Sequence, residues 1–165
     1  MKLLPVLLLL VPVLAGAQPQ PEPPPDKRNW FDDPFFQLSA GLPSCPVPEG
    51  PLLTFEEQRR EAHGRIERGT SCWLAGRCRD SNAYRYDKAL APQVEAALKA
   101  VPGVERGSVW VTIQRRWVFL EGCVPSPQLA QQLESAARAV PDVETVVPAL
   151  SLPANPAHGS ASGPR

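Results

Sequence analysis

Histidine is nearly missing. Two occur in the whole chain, His63 in a run of charged residues and His158 in a tail rich in Pro, Ala, Gly and Ser. Neither sits where a fold would hold it rigidly beside a nucleophile. No G-x-S-x-G, H-E-x-x-H or glycine-rich phosphate loop appears, and no C-x-x-C-H. These absences remove the usual constellations for hydrolysis, phosphate chemistry and covalent haem attachment. The expectation is a protein with no catalytic activity, no metal and no cofactor. Charge of one sign is lacking too: basic and acidic residues number 17 each, for a net charge of 0. The chain therefore lacks the global field that draws nucleic acid. Long apolar runs are also absent, since Leu3–Leu14 is too short to span a bilayer comfortably.

That short run reads instead as the centre of a signal peptide over residues 1–17. Lys2 precedes it, and Ala15-Gly16-Ala17 follows as a small-residue cleavage site. An uncleaved membrane anchor is the alternative. The four cysteines, Cys45, Cys72, Cys78 and Cys123, all lie beyond the run, and none follows it directly as a lipoprotein anchor requires. After export to an oxidising compartment they read as two disulfides, with three pairings open. Zinc is the competing reading, but Cys72 and Cys78 are spaced more widely than usual zinc ligands and the other two are scattered.

Residues 18–28 form a Pro-rich linker, and residues 153–165 are expected to be a disordered tail. Residues 29–86 form an N-terminal extension. It opens with NWFDDPFFQL, where Asp33-Pro34 reads as a helix start. Its aromatics are too many to leave in water without a reason. Thr54 and Glu57 then make a capping box that opens a charged helix over 55–68, expected to stop at Gly69. Glu56 with Arg60, and Glu61 with Arg65, are four apart and can pair. The apolar stripe of this helix is thin (Phe55, Ala62, Ile66), which suits a solvated helix or a docking face for a partner. After it, GTSCWLAGRC is a loop that a Cys72–Cys78 bridge could close. From Arg59 to Lys88 basic residues outnumber acidic ones, a stretch suited to anionic lipid or to plain solvated surface.

Residues 87–152 carry a repeated device. Leu90, Val94, Ala97, Leu98 and Val101 form a one-sided helical stripe, and Leu129, Leu133, Ala136, Ala137 and Val140 repeat its spacing. Asp87 and Ser126 stand as the matching N-caps, and Pro92 is expected to distort the first helix or delay its start. Between the helices Val109, Val111 and Ile113 alternate in one strand, and Val118, Leu120 and Gly122 in the next. A two-residue turn at Arg115-Arg116 pairs Ile113 with Val118 and Val111 with Leu120. Arg-Arg is unusual there, so a loose tip is expected. A third strand lies within Val143–Leu152, where Pro148 suits an edge or a bulge.

This order resembles the bacterial osmotic-stress and nodulation domain, the BON domain. The resemblance rests on D-x-x-L-x-x-x-V-x-x-x-L from Asp87 to Leu98, on VFLEGCV at 118–124, and on V-x-x-V-x-x-x-L-x-L from Val143 to Leu152. Many relatives carry two copies and this chain has one. The resemblance implies an α+β fold of order α-β-β-α-β, with two helices on one face of a three-stranded sheet. It also implies a non-enzymatic protein of the cell envelope that binds phospholipid or supports envelope integrity under osmotic or envelope stress. Periplasmic location and at most peripheral membrane contact follow from it. The alternative is an accessory subunit that docks to an envelope or secretion assembly. The resemblance supplies no catalytic residues, and Gly122 is its one clear motif position, a close approach or bulge.

Two further expectations come from the residues themselves. Arg115, Arg116 and Trp117 place two cations beside an aromatic at the hairpin tip, which suits an anionic phospholipid headgroup as well as a solvated turn. The sheet face turned away from the helices carries Trp110, Trp117, Phe119 and Cys123, although such a face is ordinarily polar. Either residues 29–86 wrap over it, stapled by a disulfide to Cys123 with Cys45 as the chosen partner, or the face is itself the lipid or partner site.

Overall fold

The computed structural model describes residues 26–153. The expected signal peptide, residues 18–25 of the Pro-rich linker and residues 154–165 of the expected tail lie outside the described residues. In chain order the elements are β1 (Phe35–Ala40), α1 (Phe55–Leu74), α2 (Asp87–Lys99), β2 (Ser108–Gln114), β3 (Trp117–Cys123), α3 (Pro127–Arg138) and β4 (Thr145–Ser151). The class is α+β, but the sheet has four strands rather than the expected three, in the order β1-β2-β3-β4.

The core follows from the two apolar stripes. Leu90, Val94 and Leu98 of α2 and Leu129, Leu133 and Ala137 of α3 pack on Val109, Val111, Ile113, Val118, Leu120 and Val146 of the sheet. Most of these side chains are fully buried, each contributing roughly 1.5–3 kcal/mol of apolar transfer. The β2–β3 pair is antiparallel, with Ile113 opposite Val118 and Val111 opposite Leu120. The register that puts aliphatic against aliphatic is the one the alternation demands, since a slip by one residue would turn Trp117 and Phe119 into the core. β4 returns through α3 and pairs parallel to β3, with Pro148 opposite Leu120 on the sheet edge, where its missing N–H is tolerated. α2 starts at Asp87 and runs unbroken through Pro92, which faces solvent, so the expected late start does not occur.

The fourth strand is a correction. Asp33-Pro34 does not start a helix: Phe35–Ala40 is a strand, antiparallel to β2 with Phe36 opposite Val111. Asp33 is unavailable as a cap because its carboxylate accepts from both ends of the Arg65 guanidinium, at 2.8 and 2.7 Å, and from Gln114 Nε2 at 2.7 Å. The aromatic alternation then decides the conformation. Phe36 and Leu38 join the main core, while Phe35 lies on the opposite face.

α1 runs past Gly69 to Leu74. The glycine is there for packing: a Cβ would lie 2.8 Å from Asn82 Oδ1 and 3.3 Å from the Tyr84 ring. The helix ends at Gly76, in the left-handed region at φ 67°. There the Arg77 and Gly76 N–H groups donate to the Cys72 and Trp73 carbonyls, a Schellman closure. Arg65 pairs with Asp33 rather than with Glu61, which pairs with Arg68, whereas Glu56 and Arg60 pair as their spacing suggests.

Two disulfides are present, Cys45–Cys123 across 78 positions and Cys72–Cys78 across 6. Cross-linking restricts the unfolded chain more when the loop is longer. Replacing Cys45 and Cys123 with serine should therefore cost about 4 kcal/mol and replacing Cys72 and Cys78 about 2 kcal/mol, read from urea midpoints of the paired variants. Equal losses would show that loop entropy does not set their contributions.

Candidate functional site

The β2–β3 hairpin closes through two residues only, Arg115 and Arg116, both left-handed with φ 48° and 69°. This is the tight primed turn whose twist matches the strands, not the loose tip expected from Arg-Arg. Two non-glycine residues in that region cost roughly 1–2 kcal/mol each. The compensation comes from Asp87. Its carboxylate accepts the backbone N–H of Arg115 and of Arg116, each at 2.7 Å. Hydrogen bonds to a charged acceptor contribute roughly 1.5–3 kcal/mol each, enough to hold the turn. Asp87 is consequently not the N-cap of α2. It is the first helical residue, and a short 3-10 turn at Ala83–Tyr86 leads straight into the helix. Ser126 does cap α3, accepting from the Leu129 N–H.

Asp87 is 2% exposed. Burial drives its pKa up to about 6, against the pull of the two N–H donors. Nearby Asp33 raises it further, and Arg65 opposes the rise. Asp33 is itself buried, and the Arg65 guanidinium, its side chain 11% exposed, packs over two rings, 3.7 Å from the Tyr84 centroid and 4.1 Å from that of Phe31. The extension therefore meets the hairpin end of the domain through a charged, fully engaged cluster.

Of the expected lipid-binding residues, the structure brings Arg115 and Trp117 together and separates Arg116 from them. The Arg115 guanidinium stacks over the Trp117 ring at 3.6 Å. Trp117 and Phe119 are tilted neighbours at 6.5 Å, and both are half-buried. The Trp117 indole Nε1–H has no acceptor among the described residues. Arg116 is buried: its Nε donates to the Asp142 carbonyl at 2.7 Å and its guanidinium lies 5.1 Å from the Tyr86 ring, which fixes the turn into β4.

The face carrying Arg115, Trp117 and Phe119 is covered by the extension over only part of its length. At its far end Trp110 and Cys123 are buried under Cys45, with Phe35 and Leu42 packed around them. The Cys45–Cys123 bond holds that cover in place. Gly122 lies beside it at φ 119°, where a Cβ would stand 2.2 Å from the Ser108 carbonyl oxygen. The hairpin end keeps its aromatics half open. Sequence reasoning named Trp117 and Phe119 but missed Asp87, Asp33 and Arg65. Two consecutive arginines in a two-residue turn, which need an acceptor for their N–H groups, were the available signal for Asp87.

The family model of the BON domain matches residues 86–154. The chain therefore carries a BON domain, spanning α2 to β4, while β1 and α1 lie outside the match. No curated protein and no solved structure matches the chain.

Two outcomes follow from the buried carboxylates. A carboxyl whose pKa is raised on folding stabilises the fold fully below its unfolded value of 3.8, and that stability is lost as pH rises through about 6. The stability of the native protein relative to Asp87→Asn should thus fall by roughly 2–3 kcal/mol between pH 4 and pH 7. Urea melts of both proteins across that range measure it, and a difference independent of pH would contradict it. Arg65→Ala leaves Asp33 buried without its cation and should cost roughly 3–5 kcal/mol. An Arg65→Ala, Asp33→Ala double variant should recover part of that loss in the same measurement.

Proposed function

We propose that this is an exported, non-enzymatic protein of the cell envelope that engages anionic phospholipid through the tip of its BON hairpin. The observation that carries the reading is the Arg115–Trp117 stack, held at the end of a tight turn on the half of the sheet face that the extension leaves uncovered. A guanidinium meets phosphate through paired N–H donors, and tryptophan prefers the interfacial layer. The rigidity of the turn matters here. Asp87 fixes the backbone of Arg115, so the cation is presented without a large ordering cost.

The two disulfides support an oxidising compartment, and the BON domain supports the envelope, so the periplasm is the location we assign. Among the described residues no helix is long and apolar enough to cross a membrane, and peripheral attachment suffices for this mechanism. Support of envelope integrity under osmotic stress fits the same reading. A docking role toward an envelope protein has one observation in its favour, the exposed apolar residues of α1.

Co-sedimentation with vesicles tests the proposal. Binding to vesicles containing phosphatidylglycerol should exceed binding to pure phosphatidylcholine and weaken with salt. Arg115→Ala and Trp117→Ala should each reduce it by about fivefold or more, as expected for loss of roughly 1 kcal/mol per interfacial contact. Equal binding to both lipids, or none, would sink the reading.

A further inference from the structure

α1 is an uncommon surface helix, because its apolar side chains mostly face water. Phe55 is 59% exposed, Ile66 69% and Trp73 48%. Among its residues only Gly69 and Cys72 are buried, against the 3-10 turn and the short disulfide loop. Together with Ala62, the three exposed residues form one stripe along the helix, since each spacing is close to a whole number of turns. Trp30 extends it at one end, its ring 5.8 Å from that of Phe55.

The stripe is symmetric about its own centre. Phe55 and Trp73 share a midpoint at position 64, and so do Ala62 and Ile66. A second α1 laid antiparallel would set Phe55 against the partner's Trp73, aromatic on aromatic, and Ala62 against the partner's Ile66, small against large. The charged flank is centred one residue away, on position 63. Arg59, His63 and Glu67 follow one another at intervals of four along the exposed side of the stripe, with His63 at the middle. In an antiparallel pair related by a two-fold axis, a flank faces the same flank of the other copy. With the apolar stripe centred on position 64, Arg59 then lies two residues, about 3 Å along the axis, from the partner's Glu67, within reach of these two long side chains, twice over. Arg59 makes no ion pair among the described residues, whereas its neighbour Arg60 is taken by Glu56 at 2.7 Å. The exposed helix carries both signs of charge, a pattern suited to pairing with another helix more than to lying on an anionic surface.

We infer that α1 is a self-association surface, on which a second copy of this chain packs its own α1 antiparallel through Phe55, Ala62, Ile66 and Trp73, with Arg59 and Glu67 pairing across the interface. One helix a side is smaller than a standard interface, so the dimer is weak, with a dissociation constant on the order of tens of micromolar. The inference does not depend on the lipid reading, because α1 and the hairpin tip share no residue. It also gives Arg59, which has no ion pair among the described residues, a counter-charge.

The test is sedimentation equilibrium of the protein, isolated with both disulfides formed, across roughly 1–200 μM. A monomer–dimer equilibrium is expected. Ile66→Glu, at a solvent-facing position, should abolish it without changing the unfolding midpoint. Arg59→Glu and Glu67→Arg should each weaken dimerisation by about tenfold, and the double swap should restore it to within about twofold, because it recreates the pair with its signs exchanged. A chain that stays monomeric throughout would overturn the inference, and so would a double swap weaker than either single change. Vesicle binding distinguishes the remaining occupant: if Ile66→Glu lowers lipid binding while the native chain stays monomeric, the stripe is a membrane face and not a dimer seam.

Discussion

The BON hairpin of this protein turns on a contradiction between sequence and geometry that one carboxylate resolves. Arginine has no preference for the left-handed region, and two in succession ask for an external restraint. Asp87 supplies it from the first turn of a helix on the other layer, so the same contact that permits the turn also locks α2 to the strand ends. Much else is set by that contact. With a longer or looser turn Ile113 and Val118 would lose their register, and Trp117 would have no fixed side of the sheet to occupy. Arg116, held from below, reaches the Asp142 carbonyl and ties down the start of β4. The burial that makes Asp87 effective also raises its pKa, so this contact responds to acidity.

Beyond the β1–β2 ladder, the extension is attached by two unlike means. At one end a covalent bond, Cys45–Cys123, closes the cover over Trp110. At the other, the buried Asp33 carboxylate, ion-paired within the extension to Arg65 of α1, accepts from Gln114 of β2. Buried ion pairs add little net stability but penalise any arrangement that separates them. The pair thus acts mainly on specificity, choosing the docking of α1 and β1 over alternatives with equal apolar burial. Between these two fastenings the sheet face is left neither wholly covered nor wholly free.

What could be read from the sequence was what local pattern decides. The apolar stripes of α2 and α3, the alternation in β2 and β3 and the two turn residues all follow from periodicity, and the outward-pointing Cys123 followed from it too. What could not be read depended on partners far away in the chain. Asp33-Pro34 has the chemistry of a helix start, and only the Arg65 guanidinium, 32 positions on, removes Asp33 from that role. Gly69 looks like a stop until Asn82 and Tyr84 are seen to need its missing side chain. Arg65 has Glu61 within reach along the helix, yet the buried carboxylate of Asp33 wins because unpaired burial costs far more than an exposed pair contributes. At the hairpin, composition alone could not tell Arg115 from its neighbour, although one faces outward and the other is a structural tie.

The 78-position span of the Cys45–Cys123 bond fixes an order of assembly. A chain leaves the ribosome N-terminus first, so β1 and Cys45 emerge long before anything they bind. β1 can pair only with β2, and Cys45 has no correct partner until β3 is formed. The Cys45–Cys123 bond can therefore close only after the C-terminal segment has been made and β3 is in place. Throughout that interval Cys45 must remain a thiol or an exchangeable mixed disulfide, with Cys72 the nearest wrong partner along the chain. The last covalent event, and not the folding of the core, then marks the point at which the molecule is complete.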